Sequence, residues 1–149
     1  MKDRFKFRVW DKQDECYAYS NNSDVDILYI ETDGELTYGT YNNDYEDMYY
    51  TPESEVIVEQ CTGLKDKKGK LIFEGDILAV PYIDPIFMQP VNMEINNDAA
   101  YVEFYKGCFV AHYPEKQRKY LYDYENIAEV IGNIHENPDL LEQCDVEKD

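Results

Sequence analysis

The feature that most constrains this chain is a series of short runs in which apolar and polar residues alternate, separated by glycine-centred turn signals. Phe5, Phe7 and Val9 alternate with Lys6, Arg8 and Trp10, the period-two pattern of a strand with one buried face. The runs from Asp24 to Ile30 and from Leu36 to Tyr38 flank Asp33-Gly34. Asp-Gly in that setting predicts a two-residue hairpin turn, because both central positions need positive φ. Val56, Val58 and Gln60 begin a second β-rich half. Between Leu64 and Ile72 the chain reads as a tight turn with Gly69 in the left-handed conformation. Ile72 to Val80 reads as one strand bent at Gly75. Alternation returns in Ala100 to Phe104, turns at Lys106-Gly107, resumes in Cys108 to His112, and ends in a last strand from Glu129 to Ile134.

Two stretches break the pattern. Tyr41 to Tyr50 is polar and aromatic without clear period, and reads as a loop or irregular strand. Pro81 to Ala99, with Pro81, Pro85 and Pro90, reads as a long excursion. Asn137-Pro138-Asp139 predicts a helix start, with Asn137 as N-cap, and the helix lasts about two turns, through Gln143. The expected fold is therefore mostly β: antiparallel strands with a small SH3-like barrel in the C-terminal half and a short C-terminal helix. A single domain over 1–149 is expected, divisible into an acidic β region, 1–59, and a barrel-like half, 60–143. The structural turns are assigned to Gly34, Gly69, Gly75 and Gly107.

Charge narrows the function classes. Of 149 residues, 32 are acidic and 14 basic, a formal charge of −18. A polyanion such as nucleic acid or an acidic membrane needs a basic face, so neither is expected as a direct partner. From Gln13 to Leu64 there are 13 acidic residues and no lysine or arginine. The basic residues gather at the N-terminus, in Lys65 to Lys70, and in Lys116-Gln117-Arg118-Lys119. The N-terminus lacks the apolar run of a secretory signal, no stretch suits a membrane span, and Asn21-Asn22-Ser23 matches the glycosylation tripeptide by chance. The expected compartment is the cytoplasm. Cys16, Cys61, Cys108 and Cys144 are too scattered for a zinc site or disulfide framework and read as reduced, half-buried thiols.

Motifs that could carry chemistry are sparse. Gly63 and Gly69 in TGLKDKKGK are spaced wrongly for a phosphate-binding loop and are followed by a strand rather than a helix, so the lysines read as turn residues. Glu74 and Asp76 around Gly75 could ligate a hard cation, or Asp76 could bond nearby backbone amides to hold the bend. Asn43 to Asp47 is rich in oxygen but lacks the pattern of a calcium loop. His112 and His135 read as structural or surface residues. No catalytic, cofactor-binding or metal-binding residue is assigned, and the chain leans away from being an enzyme.

The other excess is tyrosine, with 15 residues. Tyrosine combines apolar area with a polar tip, which suits a protein interface and equally suits a half-buried sheet face. The candidate interaction residues are Asp24, Asp26, Asp44, Asp47, Tyr45, Tyr49 and Tyr50, and the partner expected is another protein or a second copy. Same-face carboxylates on a strand, such as Asp24 and Asp26, repeat at about 6.6–6.8 Å, comparable to successive phosphates. Mimicry of DNA against a basic host protein is therefore an alternative, and a small metal-assisted hydrolase is another.

Three blocks carry a family resemblance: Phe5 to Lys12 (FKFRVWDK), Cys61 to Ile77 (CTGLKDKKGKLIFEGDI) and Glu129 to Leu141 (EVIGNIHENPDLL). In that order and spacing they resemble the signature blocks of the YopX family. The resemblance implies a phage or prophage origin in Gram-positive bacteria, a mostly β fold and self-association. It implies no activity and no catalytic residues. Gln13 to Glu59 and Pro81 to Ala99 fall outside the blocks.

Overall fold

The computed structural model describes residues 2–19, 26–41, 48–51, 55–81, 86, 98–114 and 117–142. The chain is mostly antiparallel β, and its backbone contacts divide it into two compact units, 6–60 and 61–149 with 1–5.

In the unit 6–60, β1 (Phe7–Asp11) lies between β2 (Cys16–Tyr19) and the first half of β6, while β3 (Asp26–Ile30), β4 (Leu36–Tyr41) and β5 (Met48–Thr51) form a separate sheet in that order. β6 (Val56–Lys65) crosses the unit boundary, pairing with β1 up to Gln60. The single buried face expected of the first strand is not what forms. Arg8, Val9 and Trp10 are all buried, and Phe5 lies outside the strand in an exposed 3-10 turn, Asp3–Phe5. The reason is position: β1 is paired on both edges, and Arg8 finds a buried carboxylate, Glu59, on the neighbouring strand.

The hairpin at Asp33-Gly34 forms, but with a longer turn than the two-residue one expected. Glu31 N–H donates to the Glu35 carbonyl (2.8 Å) and Gly34 N–H to the Glu31 carbonyl (3.0 Å), and only Gly34 has positive φ, +92°. This is a type I turn followed by one left-handed residue. The hairpin between β6 and β7 (Leu71–Phe73) repeats it: Asp66 N–H donates to Lys70 O (2.8 Å), Gly69 N–H to Asp66 O (3.0 Å), and Gly69 has φ +82°. The two-residue form with both φ values positive occurs at Lys106-Gly107 instead (+48° and +88°).

In the unit 61–149, β8 (Asp76–Val80), β9 (Asp98–Tyr105), β10 (Cys108–His112), β11 (Arg118–Tyr120) and β12 (Glu129–Asn133) form one antiparallel sheet in the order β11-β10-β9-β8-β12. Five antiparallel strands fit the small SH3-like barrel expected of this half. Ile72 to Val80 is two strands rather than one bent strand: β7 pairs with β6, β8 pairs with β9 and β12, and the break falls at Glu74-Gly75. Gly75 has φ +77°, its N–H donates to Val102 O (2.9 Å), and its carbonyl accepts from Ile134 N–H (2.8 Å). The core gathers Ile72, Leu78, Val80, Val102, Ala111 and Leu121, the last from a 3-10 turn, Leu121–Tyr124. Neither β2, β11 nor this turn is anticipated by the sequence pattern. Helix α1 (Asp139–Glu142) starts where Asn137-Pro138-Asp139 predicts, and its expected end, Gln143, lies outside the described residues. The Asn137 side chain turns back to accept from Asn133 N–H (3.3 Å) instead of capping it.

Candidate interaction site

The polar residues of the resemblance blocks are largely engaged by the fold. Asp66 is 2% exposed, and its carboxylate accepts three backbone N–H groups: Lys68 (2.8 Å) and Lys70 (2.9 Å) at Oδ1, and Val130 (3.1 Å) at Oδ2. It thereby closes its own hairpin and ties it to β12. Lys67 and Lys68 both pair with Glu129. The hydrogen bonds from Lys67 and then Lys68 hold the Glu129 carboxyl below the usual carboxylate range, and the same contact raises Lys68. Asp76 is buried and accepts from Phe73 N–H (2.8 Å), so this carboxylate holds the break between β7 and β8. Asn133, also buried, accepts from His135 N–H (3.0 Å) and Glu136 N–H (2.9 Å) through Oδ1. A Cβ on Gly132 would lie 2.5 Å from Asn137 Oδ1, which explains a glycine there. In the unit 6–60, Arg8 Nε meets Glu59 Oε2 at 2.6 Å, and Tyr17 donates its hydroxyl to the same oxygen at 3.0 Å.

Of the residues assigned to an interaction face, Asp24, Asp44, Tyr45 and Asp47 lie outside the described residues. Asp26 begins β3, and Tyr49 and Tyr50 lie in β5. Strand register places Asp26, Thr40 and Tyr49 in one cross-strand row and Ile27, Gly39 and Tyr50 in the next. Among the described residues no three His, Cys, Asp or Glu side chains are grouped to hold a metal ion. No helix there is long and apolar enough to cross a membrane. The thiols are not uniformly half-buried: Cys16 is exposed and Cys61 fully buried.

A second surface was not assigned from the sequence. On one side of β9, β10 and β11 the register aligns Tyr101 with His112 and Arg118, Glu103 with Val110 and Tyr120, and Tyr105 with Cys108. Glu103 Oε2 lies 2.9 Å from His112 Nδ1 and accepts from Arg118 Nε at 3.0 Å, and Tyr101 Oη lies 2.6 Å from the same Nδ1. A carboxylate only accepts, so the proton facing Glu103 belongs to Nδ1. Burial, then the Glu103 charge, push the Tyr101 phenol up, and the hydrogen bond to Glu103 raises Arg118. Arg118 also stacks over the Tyr105 ring, its Cζ 4.0 Å from the centroid. Beside it lies a groove of about 450 Å³ lined by the buried Val110 and Tyr124, the half-buried Tyr105 and Cys108, and the exposed Tyr120. Lys106 and Asp123 also line it. Tyr120 (57% exposed) and Tyr122 (66%) stand 5.9 Å apart, leaving aromatic surface open to solvent. The sequence signal for this surface is the cluster Lys116-Gln117-Arg118-Lys119, which does not by itself reveal the rings that fold beside it.

Comparison with known proteins agrees with the fold. The family model described as YopX protein matches residues 6–142. The chain is similar to the crystal structure of protein EF1440 from Enterococcus faecalis, with 26% identity, a TM-score of 0.54, and coverage of 91% of this chain and 96% of that one. It shares the fold of protein yopX from Bacillus subtilis, with 20% identity, a TM-score of 0.63, and coverage of 93% and 96%. No curated protein matches it. A family match over nearly the whole length, on a fold whose hubs lie within the matched residues, places this chain in the YopX family.

Proposed function

We propose that the chain is a noncatalytic interaction module, encoded by a phage or prophage and working in the cytoplasm of the bacterial host. Its acidic, tyrosine-rich segment from Gln13 to Glu59 meets another protein or a second copy. The observation that carries this reading is the register of β3, β4 and β5, which brings Asp26 and Tyr49 into one cross-strand row; Tyr50 falls in the adjacent row, which belongs to the other face of the sheet. They lie in a segment with 13 acidic residues and no lysine or arginine. Carboxylates on such a face steer a basic partner, and tyrosines anchor it once docked. Family membership supports the phage origin through what the resemblance implies.

The test is affinity capture from host cells, followed by binding kinetics of the captured partner. Converting Asp24, Asp26, Asp44 and Asp47 to lysine should slow association and weaken its salt dependence, since exposed charges act over about 8 Å at physiological ionic strength. Converting Tyr45, Tyr49 and Tyr50 to serine should speed dissociation. DNA competing for the same partner would sharpen the reading to mimicry of DNA. A partner that binds unchanged in high salt and tolerates both sets of substitutions would remove it.

A further inference from the structure

We propose that the open edge of β11, with the groove beside it, is a second docking site. Its occupant is an extended acidic peptide segment of a partner protein, which adds to the sheet as a sixth strand. This surface lies in residues 101–124 and is independent of the acidic face proposed above.

Backbone geometry supplies the first observation. Tyr113 N–H donates to Gln117 O (3.1 Å), so these two residues form a hydrogen-bonded pair. In an antiparallel ladder bonded and non-bonded pairs alternate. Ala111 and Lys119 are then bonded to each other, while Arg118 directs its N–H and C=O, and Tyr120 its N–H, away from β10; the Tyr120 carbonyl opens the 3-10 turn that follows. β11 is the last strand of its sheet among the described residues, and all three of its residues are exposed. Such an edge is a template for an incoming strand, with affinity from main-chain bonds and selectivity from alternate side chains.

Side-chain chemistry selects the occupant. The groove is lined by Lys106, Arg118 and Lys119 against one acid, Asp123, with Glu103 paired to Arg118 beside it, within a protein of charge −18. Arg118 is held in place by Tyr105 and Glu103, so little of its side-chain freedom remains to be lost on binding. Alternate side chains of an added strand would face Arg118, Tyr120 and the groove. Carboxylates suit the cations there, and the intervening residues need carry no charge. A nucleic acid fits less well. It has no peptide N–H and C=O groups with which to continue the main-chain ladder.

The experiment uses the full chain and a short fluorescent peptide of alternating glutamate and valine. The controls are its lysine-valine counterpart and an oligothymidine strand of similar length. Fluorescence anisotropy should show the acidic peptide binding at least about tenfold more tightly than either control. Its affinity should fall as salt rises from about 0.1 M to about 1 M, where screening shortens from about 10 to about 3 Å.

Tyr120 permits a sharper test, because its backbone (φ −61°, ψ 127°) already suits proline. Tyr120→Ala removes the ring and keeps the outward N–H, whereas Tyr120→Pro removes both. Binding to the proline variant should be at least about tenfold weaker than to the alanine variant, with thermal melts of the two compared as a folding control. In the unsubstituted protein, the peptide should slow amide exchange at Arg118 and Tyr120, a readout that needs no variant. Equal binding by the two Tyr120 variants, exchange unchanged at those amides, or stronger binding of oligothymidine would overturn the proposal. A drop in sedimentation mass when the peptide is added would also overturn it, by assigning the edge to a second copy.

Discussion

Replacing Asp66 separates a fold held by its hydrophobic core alone from one that also depends on a buried carboxylate. Asp66 accepts from Lys68, Lys70 and Val130 N–H groups. A hydrogen bond to a charged group contributes about 1.5–3 kcal/mol. Lys68 and Lys70 lie on an exposed turn, where water can replace the lost acceptor, whereas Val130 is half-buried. Removing the carboxylate also relieves the cost of burying its charge, so Asp66→Ala should lose about 3 kcal/mol in all. Asp66→Asn keeps size and shape. Its carbonyl can serve the two turn amides, but its amide then faces Val130 N–H, donor against donor, at a cost of about 1–3 kcal/mol. For a chain of this length each kcal/mol moves the melting temperature by about 2–4 °C, so the alanine variant should melt roughly 10 °C lower.

The assays are urea unfolding by far-ultraviolet circular dichroism and amide exchange at Val130. A loss of about 2 kcal/mol should speed exchange at that amide roughly 30-fold if it opens by unfolding. The single tryptophan, Trp10, lies in the unit 6–60 and is the wrong probe for this site. An Asp66→Asn protein within about 0.5 kcal/mol of the parent, with Val130 still protected, would refute the reasoning.

Gly75→Val should destabilise several times more than Gly39→Val in thermal melts, because Gly75 sits at φ +77°, whereas Gly39, though also buried, lies at a regular position of β4; equal shifts would contradict this. Glu59→Ala, which takes this carboxylate from the buried Arg8, should cost about 3–5 kcal/mol as followed by Trp10 fluorescence. Replacing Arg8 and Glu59 together by Met and Leu should recover most of that loss. The pairing of Glu129 with Lys67 and Lys68 stabilises the fold above the ordinary carboxylate pKa and is lost as pH falls through the lowered folded value. The raised Lys68 extends its share up to the alkaline side of the usual lysine range. The gap in melting temperature between the parent and Glu129→Gln should therefore be flat near neutrality, close in acid, and shrink with salt.

Alternation within a strand is set by residues two apart in the chain, so the sequence by itself determined that Phe7 to Val9, Ala100 to Phe104 and Cys108 to His112 would be extended. Glycine turns are equally local, which is why the hairpins at Gly34, Gly69 and Gly107 and the break at Gly75 could be placed in advance. Even there, the turn type at Gly34 and the division of Ile72 to Val80 into two strands depended on pairing across the sheet. Tertiary structure alone decided which polar residues would be buried. Arg8 meets a carboxylate 51 positions away, and Asp66 accepts from an amide 64 positions away, distances over which no sequence period persists. The β11 groove has the same origin. Tyr105 and Arg118 become neighbours only because two hairpin connections fold β9, β10 and β11 side by side, and a local pattern contains neither half of that contact.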